Sequence, residues 1–185
     1  DALKSGVEEA CDSRVRGGFR KIRTQNQKDP IEFEIYYKED GKTRPITYEL
    51  AIDLDKSGRP FVLRERLRQR RKGQKHGRPF SFLILNDGNG VVWKGEQEGR
   101  QIDEAQEDFD LFGLIESIKS GKAQKESGET EVVELEDRRK LGIATLGSLK
   151  QHSRISAFRR FIEGWYLSYF TPDAARSLPL AGPQK

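Results

Sequence analysis

The residues with the clearest chemical character lie in RERLRQRRKGQKHGR, positions 64–78. The segment holds eight Lys/Arg and one Glu, a local charge of +7 against +4 for the whole chain, so the other residues sum to −3. If this is a strand, Arg64, Arg66, Arg68 and Arg70 project from one face, because side chains alternate with period two. Arg71, Lys72, Lys75 and Arg78 extend the charge into the following loop. Four guanidinium groups on one face repel each other unless acids or phosphates offset them. This predicts contact with nucleic-acid phosphates, DNA in particular. The competing reading is a solvated edge strand whose charges discourage edge-to-edge pairing, neutralised by Glu34 or Glu49 on neighbouring strands.

Other chemistries find less support. The run from Glu96 to Asp110 carries seven acids against Arg100, but no Asp/Asn ladder with a turn glycine that would hold calcium. Cys11, His76 and His152 are too few and too far apart for a zinc site. Neither His sits in a nucleophile context, and the carboxylate pairs are too many to single out an acid/base dyad. GxxxxGK[ST] and GxGxxG are both absent. LNDGNG, at 85–90, is flanked by strands, so its glycines read as a hairpin turn and not as a phosphate cradle. No catalytic or metal-binding residues are assigned.

These residues need elements to place them. With 185 residues, 34% hydrophobic and 35% charged, the chain reads as one domain, lean in core-forming side chains. No run approaches the roughly 20 apolar residues of a membrane span, and no signal-peptide pattern is present. A single cysteine suits a reducing compartment and predicts a cytoplasmic protein.

Residues 1–14 read as the end of a helix, from Leu3, Val7, Ala10 and Cys11 at helical spacing, stopped by Arg16-Gly17-Gly18. Residues 19–95 read as an antiparallel β-meander of about five strands. IEFEIYYK puts Ile31, Phe33, Ile35 and Tyr37 on one face, and ITYELAIDL does the same with Ile46, Tyr48, Leu50, Ile52 and Leu54. Asp40-Gly41 suits the turn between them, and short connections imply antiparallel pairing. Ile31, Phe33, Ile35, Tyr48, Leu50, Ile52, Phe82 and Ile84 are expected to share one buried face. Residues 96–134 read as an acidic and polar linker with a short helix around Phe109–Lys119. Residues 135–170 read as two helices divided near Gly147 or Ser153, followed by an aromatic strand over Trp165–Phe170 with Trp165 and Phe170 buried. A Pro/Gly-rich tail covers 171–185. The fold class is therefore α+β.

The two end segments, DALKSGVEEACDSRVRGGF and ISAFRRFIEGWYLSYFTPDAARSLPLAGPQK, resemble predicted ATPases of the ABC-type AAA family, related to RecF and SMC heads. The first is similar to the stretch that leaves the P-loop helix and enters a β-meander. The second is similar to an aromatic strand before a Pro-containing segment. The resemblance implies a parent that binds ATP with magnesium between two heads. It places the Walker A loop before Asp1 and the signature helix and Walker B acids after Lys185. It also implies that Arg16, Gly17 and Gly18 lie near nucleotide. The chain is then expected to be one part of an ATPase head, inactive alone. Its partners would be the rest of the head, a second head, and DNA, with no membrane. The alternatives are a free-standing nucleic-acid-binding β-module that uses the basic strand, and an interaction domain without a ligand.

Overall fold

The computed structural model describes residues 1–12, 16–24, 26–38, 43–70, 73–77, 79–94, 110–121 and 130–165. Six strands form one sheet: β1 (Ile31–Tyr37), β2 (Ile46–Leu54), β3 (Pro60–Gln69), β4 (Phe80–Asn86), β5 (Asn89–Trp93) and β6 (Thr130–Glu134). Strand order follows chain order and every pairing is antiparallel. The architecture is the expected α+β meander. The sixth strand is TEVVE, however, ahead of the last two helices. With two valines between polar ends, it carries too little alternation to announce itself.

The β4–β5 connection shows why the order is so regular. Asp87 and Gly88 both adopt positive φ, 52° and 79°, which gives a two-residue turn whose twist matches the flanking strands. Asn89 and Gly90, expected to complete the turn, instead begin β5, where Gly90 is in register with Leu85. A Cβ at Gly90 would fall onto the Ile84 carbonyl. Gly90→Ala should therefore cost about 1–3 kcal/mol, the usual range for overpacking, read from the midpoint of urea unfolding. A change under 0.3 kcal/mol would contradict the close approach.

The sheet is covered more completely than its pattern suggests. Tyr48, Leu50, Ile52, Phe82 and Ile84 are buried as expected. They do not share one face, because Ile84 is in register with Arg66 and Val91, one step from the row of Leu67, Leu83 and Val92. All five of those apolar residues are almost fully buried, so the central strands have apolar contacts on both sides. Ile31 and Ile35 on the edge strand β1 are only half-buried, and Phe33 is 46% exposed. An edge strand has one neighbour, and cover over its outer half is thinner than period two alone implies.

The helices are α1 (Ala2–Ser5), α2 (Val7–Asp12), α3 (Phe19–Ile22), α4 (Leu111–Lys119), α5 (Gly142–Leu146) and α6 (Ser153–Glu163). The single helix expected over 1–14 is broken at Gly6, whose φ of 97° ends α1. The break docks the segment: Val7 N–H donates to the Arg139 carbonyl at 2.9 Å and Lys140 Nζ to the Ser5 carbonyl at 2.9 Å. Phe19–Ile22 forms one helical turn where alternation was expected, with Phe19 buried. In α4, Asp110 caps the start by accepting from Gly113 N–H at 2.9 Å, and Leu111, Ile115 and Ile118 face inward. The two late helices separate at 147–152, as Gly147 and Ser153 suggested, although 135–141 is turn and not helix.

Trp165 departs from its expected burial. It follows the Gly164 cap of α6, meets Phe161 edge-on at 5.3 Å, and is 50% exposed. Residues 166–170 of the expected aromatic strand, the Asp40-Gly41 turn, most of the acidic run and the tail lie outside the described residues.

Candidate functional site

The arginine row is built by β3. Its buried positions are Pro60, Val62, Glu65, Leu67 and Gln69, and over 64–69 the alternation puts Arg64, Arg66 and Arg68 on the face opposite Glu65, Leu67 and Gln69. The same face of β1 and β2 carries acids. Arg66 is in register with Glu49, which is in register with Glu34. Arg64 Nη2 reaches Glu32 at 2.9 Å across the intervening strand, and Arg68 is bonded to Glu49. The same-face geometry is present, and so is the carboxylate neutralisation that the competing reading requires. The exposed Arg64–Glu32 pair is weak, about 0–1 kcal/mol, and a polyanion could compete for its cation, whereas Arg68–Glu49 is partly buried.

Arg70 lies just past the strand and leaves the row. It donates through Nη1 to the Lys75 carbonyl at 2.7 Å, and its own carbonyl accepts from Arg44 Nη1 at 3.1 Å. Gln69 Nε2 donates to the Arg44 carbonyl at 3.2 Å. These bonds tie the segment before β2 to the β3–β4 connection and frame a cleft of about 600 Å³. Arg71, Lys72 and Arg78 lie outside the described residues.

The Arg16-Gly17-Gly18 loop closes α2. Arg16 donates to the Ala10 carbonyl at 2.6 Å and to Asp1 Oδ2 at 2.7 Å. Gly17 and Gly18 have φ of 70° and 97°, and Gly18 N–H returns to the Cys11 carbonyl at 3.0 Å. Positive φ at both glycines lets the chain reverse here and start α3.

Two polar groups were not singled out in the sequence. Glu65 has no exposed surface, yet its Oε2 accepts from Gly142 N–H at 2.5 Å, and its Oε1 from Ile143 N–H at 2.9 Å and Tyr48 O–H at 3.1 Å. Burial pushes its carboxyl up to about 7, with the two amides and the Tyr48 hydroxyl pulling the other way. Burial also raises the Tyr48 phenol well above its ordinary value, and the neighbouring Glu65 charge adds to this, so Tyr48 is a firm donor. A Glu at a core-facing position of an alternating strand was the available signal, and the surrounding arginines hid it.

The second group is His152, 4% exposed, with Nε2 3.6 Å from Glu131, which also pairs with Lys94 at 3.0 Å. Desolvation lowers its pKa despite Glu131. Both groups are enclosed, which suits anchoring better than turnover. Among the described residues no three His, Cys, Asp or Glu side chains gather as a metal site, and no helix is long and apolar enough to cross a membrane.

Comparison with known proteins supplies the family. No curated protein and no solved structure matches the chain. A family model matches residues 1–185, the whole of the chain, and an AAA domain is an ATPase-like nucleotide-binding domain. The chain therefore belongs to the family described as AAA domain, putative AbiEii toxin, Type IV TA system.

Proposed function

We propose that residues 1–185 form the β-lobe of an ABC-type ATPase head of the RecF/SMC kind, in a protein that binds ATP with magnesium and acts on DNA. The observation that carries this reading is the antiparallel sheet whose six strands lie in chain order after α1–α3, with α4 between β5 and β6, in a chain that matches an AAA domain throughout. Such a lobe covers a nucleotide site without building its phosphate cradle. A cradle needs backbone N–H groups converging from a Gly-rich turn at a helix N-terminus. These residues do not fit that need: GxxxxGK[ST] is absent, and Asp87-Gly88 is a hairpin turn between strands. Other residues of the protein would supply the cradle, with the Arg16–Gly18 loop the part of this chain nearest to it. The remainder of the head and a second head would be its partners.

ATP turnover tests the reading. The 185-residue chain should release no phosphate from ATP–magnesium above background. A longer gene product that contains it should do so, and should lose that activity when its P-loop lysine is replaced. Turnover by the 185-residue chain alone, with contaminants excluded, would overturn the division of labour. A longer product that neither binds nor hydrolyses ATP would overturn the ATPase reading.

A further inference from the structure

We infer that β1 is a dimerisation edge, to which a second copy of this chain adds its own β1, antiparallel and centred on Ile35. The inference goes beyond the proposed function, because the contact needs neither nucleotide nor DNA. Among the described residues β1 is the first strand of the sheet and pairs with β2 alone. Its seven residues contain no proline and run against β2 without a bulge. A regular edge of this kind is the template that strand addition uses. Phe33 is 46% exposed and Tyr36 66%, so the strand is accessible from both faces.

The side chains select the partner and its register. Ile31, Phe33, Ile35 and Tyr37 occupy one face of β1, and Glu32, Glu34 and Tyr36 the other, which exposed Lys38 continues. Opposed residues of an antiparallel pair lie on the same face, so a copy preserves both faces only where odd positions oppose odd. Centring on Phe33 sets Glu32 against Glu34 twice, and centring on Glu34 sets that acid against itself. Like charges directly opposite are destabilising. Centring on Tyr36 leaves Phe33 beyond the paired strands. Centring on Ile35 sets Glu32 against Lys38, Phe33 against Tyr37 and Glu34 against Tyr36, each twice. Glu32 then keeps Arg64 at 2.9 Å on its inner side and gains a lysine on the outer. Phe33 of the second copy arrives beside Tyr37, on which Phe161 stacks at 4.0 Å. The charges that forbid the neighbouring registers therefore favour this one.

The test is sedimentation velocity of the 185-residue chain from about 1 to about 200 μM, without nucleotide. A seven-residue strand makes a small interface, so a micromolar, concentration-dependent equilibrium of monomer and dimer is expected. Lys38→Glu reverses both Glu32–Lys38 contacts and should weaken dimerisation at least about tenfold, while Lys38→Arg should leave it unchanged. Lys38 is exposed, so unchanged circular-dichroism melts are expected for both. Cysteine cross-linking reads the register. Ile35 faces its own copy at a Cα separation of about 4.5–5.5 Å, which a disulfide spans. The two copies of Phe33 lie four positions apart along the paired strands, about 14 Å, which a disulfide does not span. Under oxidised glutathione Ile35→Cys should give a covalent dimer and the more exposed Phe33→Cys should not. Wild type, whose Cys11 is buried, is the blank.

A dimer insensitive to Lys38→Glu would place the contact elsewhere and overturn the inference. Cross-linking that is faster at Phe33→Cys than at Ile35→Cys would show random collision and do the same. A monomer at every concentration would overturn it outright. Hydrogen exchange would then say what the edge does, because alternate β1 amides point away from β2. Protection of those amides in the monomer would assign the edge to another segment of this chain. Their rapid exchange would leave it open to a different partner.

Discussion

Glu65→Ala should destabilise the domain by about 3–5 kcal/mol at neutral pH, against a total stability on the order of 5–15 kcal/mol for a domain of this size. Three donors converge on this carboxylate: the first amides of α5, from Gly142 and Ile143, and the Tyr48 hydroxyl. A five-residue helix such as α5 cannot hold itself together in water, so its geometry depends on tertiary anchors. Removing the carboxylate leaves three buried donors unpaired, at about 1–3 kcal/mol each before relaxation or entry of water. Gly142 sharpens the dependence, because a Cβ there would press on Leu85 and Glu65 and α5 could not sit so close to the sheet. Glu65→Gln keeps one oxygen acceptor and should recover part of the loss. Urea unfolding of the three proteins decides the point, and a cost below 1 kcal/mol for the alanine variant would show that the carboxylate anchors nothing.

The same group predicts a pH dependence of definite sign. Its folded pKa of about 7 lies above the ordinary 4.5, so the folded state binds the proton more tightly than the unfolded chain. Stability from this linkage is complete below about pH 4.5 and is lost as pH rises through 7, by about 3 kcal/mol in all. His152 acts in the opposite sense. Its lowered pKa means that stability falls when the pH drops below the ordinary value of 6.5. Comparing wild type with Glu65→Gln from pH 5 to 8 isolates the carboxylate, since His152 is common to both. The wild-type advantage should shrink as the pH rises, and an advantage that grows would reverse the assignment.

These two groups also mark where the sequence stops being legible. The meander was readable because ITYELAIDL and PFSFLILNDGNGVVW carry their own alternation and turn chemistry, which local sterics enforce without help from the rest of the chain. Glu65 has no such local signature. Its role depends on α5, 77 positions later in the chain, arriving over β3 with two bare amides. The arginine row was legible as a row, since period two places Arg64, Arg66 and Arg68 together. Which acids meet it depends on register, and register brings Glu32 and Glu49 within reach. The cleft was the least visible feature. Tyr36 comes from β1, and Arg44, Arg70 and Lys75 from two connections that only the paired sheet brings beside it, and a connection has no periodicity to read. Gly90 was legible as part of a turn, whereas Gly6 fell inside an expected helix and was not legible as a break. What each makes room for, the Arg139 carbonyl and the Ile84 carbonyl, was legible in neither.

Phe158→Ala should cost about 3–5 kcal/mol, the range for emptying a buried aromatic site. Phe158 has no exposed surface and stands where α6 meets the sheet. Its ring centroid lies 5.0 Å from Tyr48, 6.0 Å from Tyr37 and 6.3 Å from Phe161, all in tilted arrangements that aromatic pairs favour. The sequence of α6 explains the placement, since Ile155, Phe158, Phe161 and Ile162 recur at helical spacing and make one apolar stripe. Phe161 stacks on Tyr37 at 4.0 Å and extends the contact to β1, the edge strand with the thinnest cover. Removing Phe158 opens a cavity beneath Tyr48, the residue whose hydroxyl donates to Glu65. The two large predictions are therefore coupled, because a displaced Tyr48 already costs Glu65 one donor before Glu65 is touched. In a double-mutant cycle the combined loss should fall short of the sum by at least about 0.5 kcal/mol, as it does for residues that share a partner. Phe112, 72% exposed on α4, provides the contrast, and its alanine variant should stay within about 0.5 kcal/mol of wild type. Strict additivity between Phe158→Ala and Glu65→Ala would mean that Tyr48 does not transmit between them. The aromatic cluster and the buried carboxylate would then be separate anchors for α6 and α5.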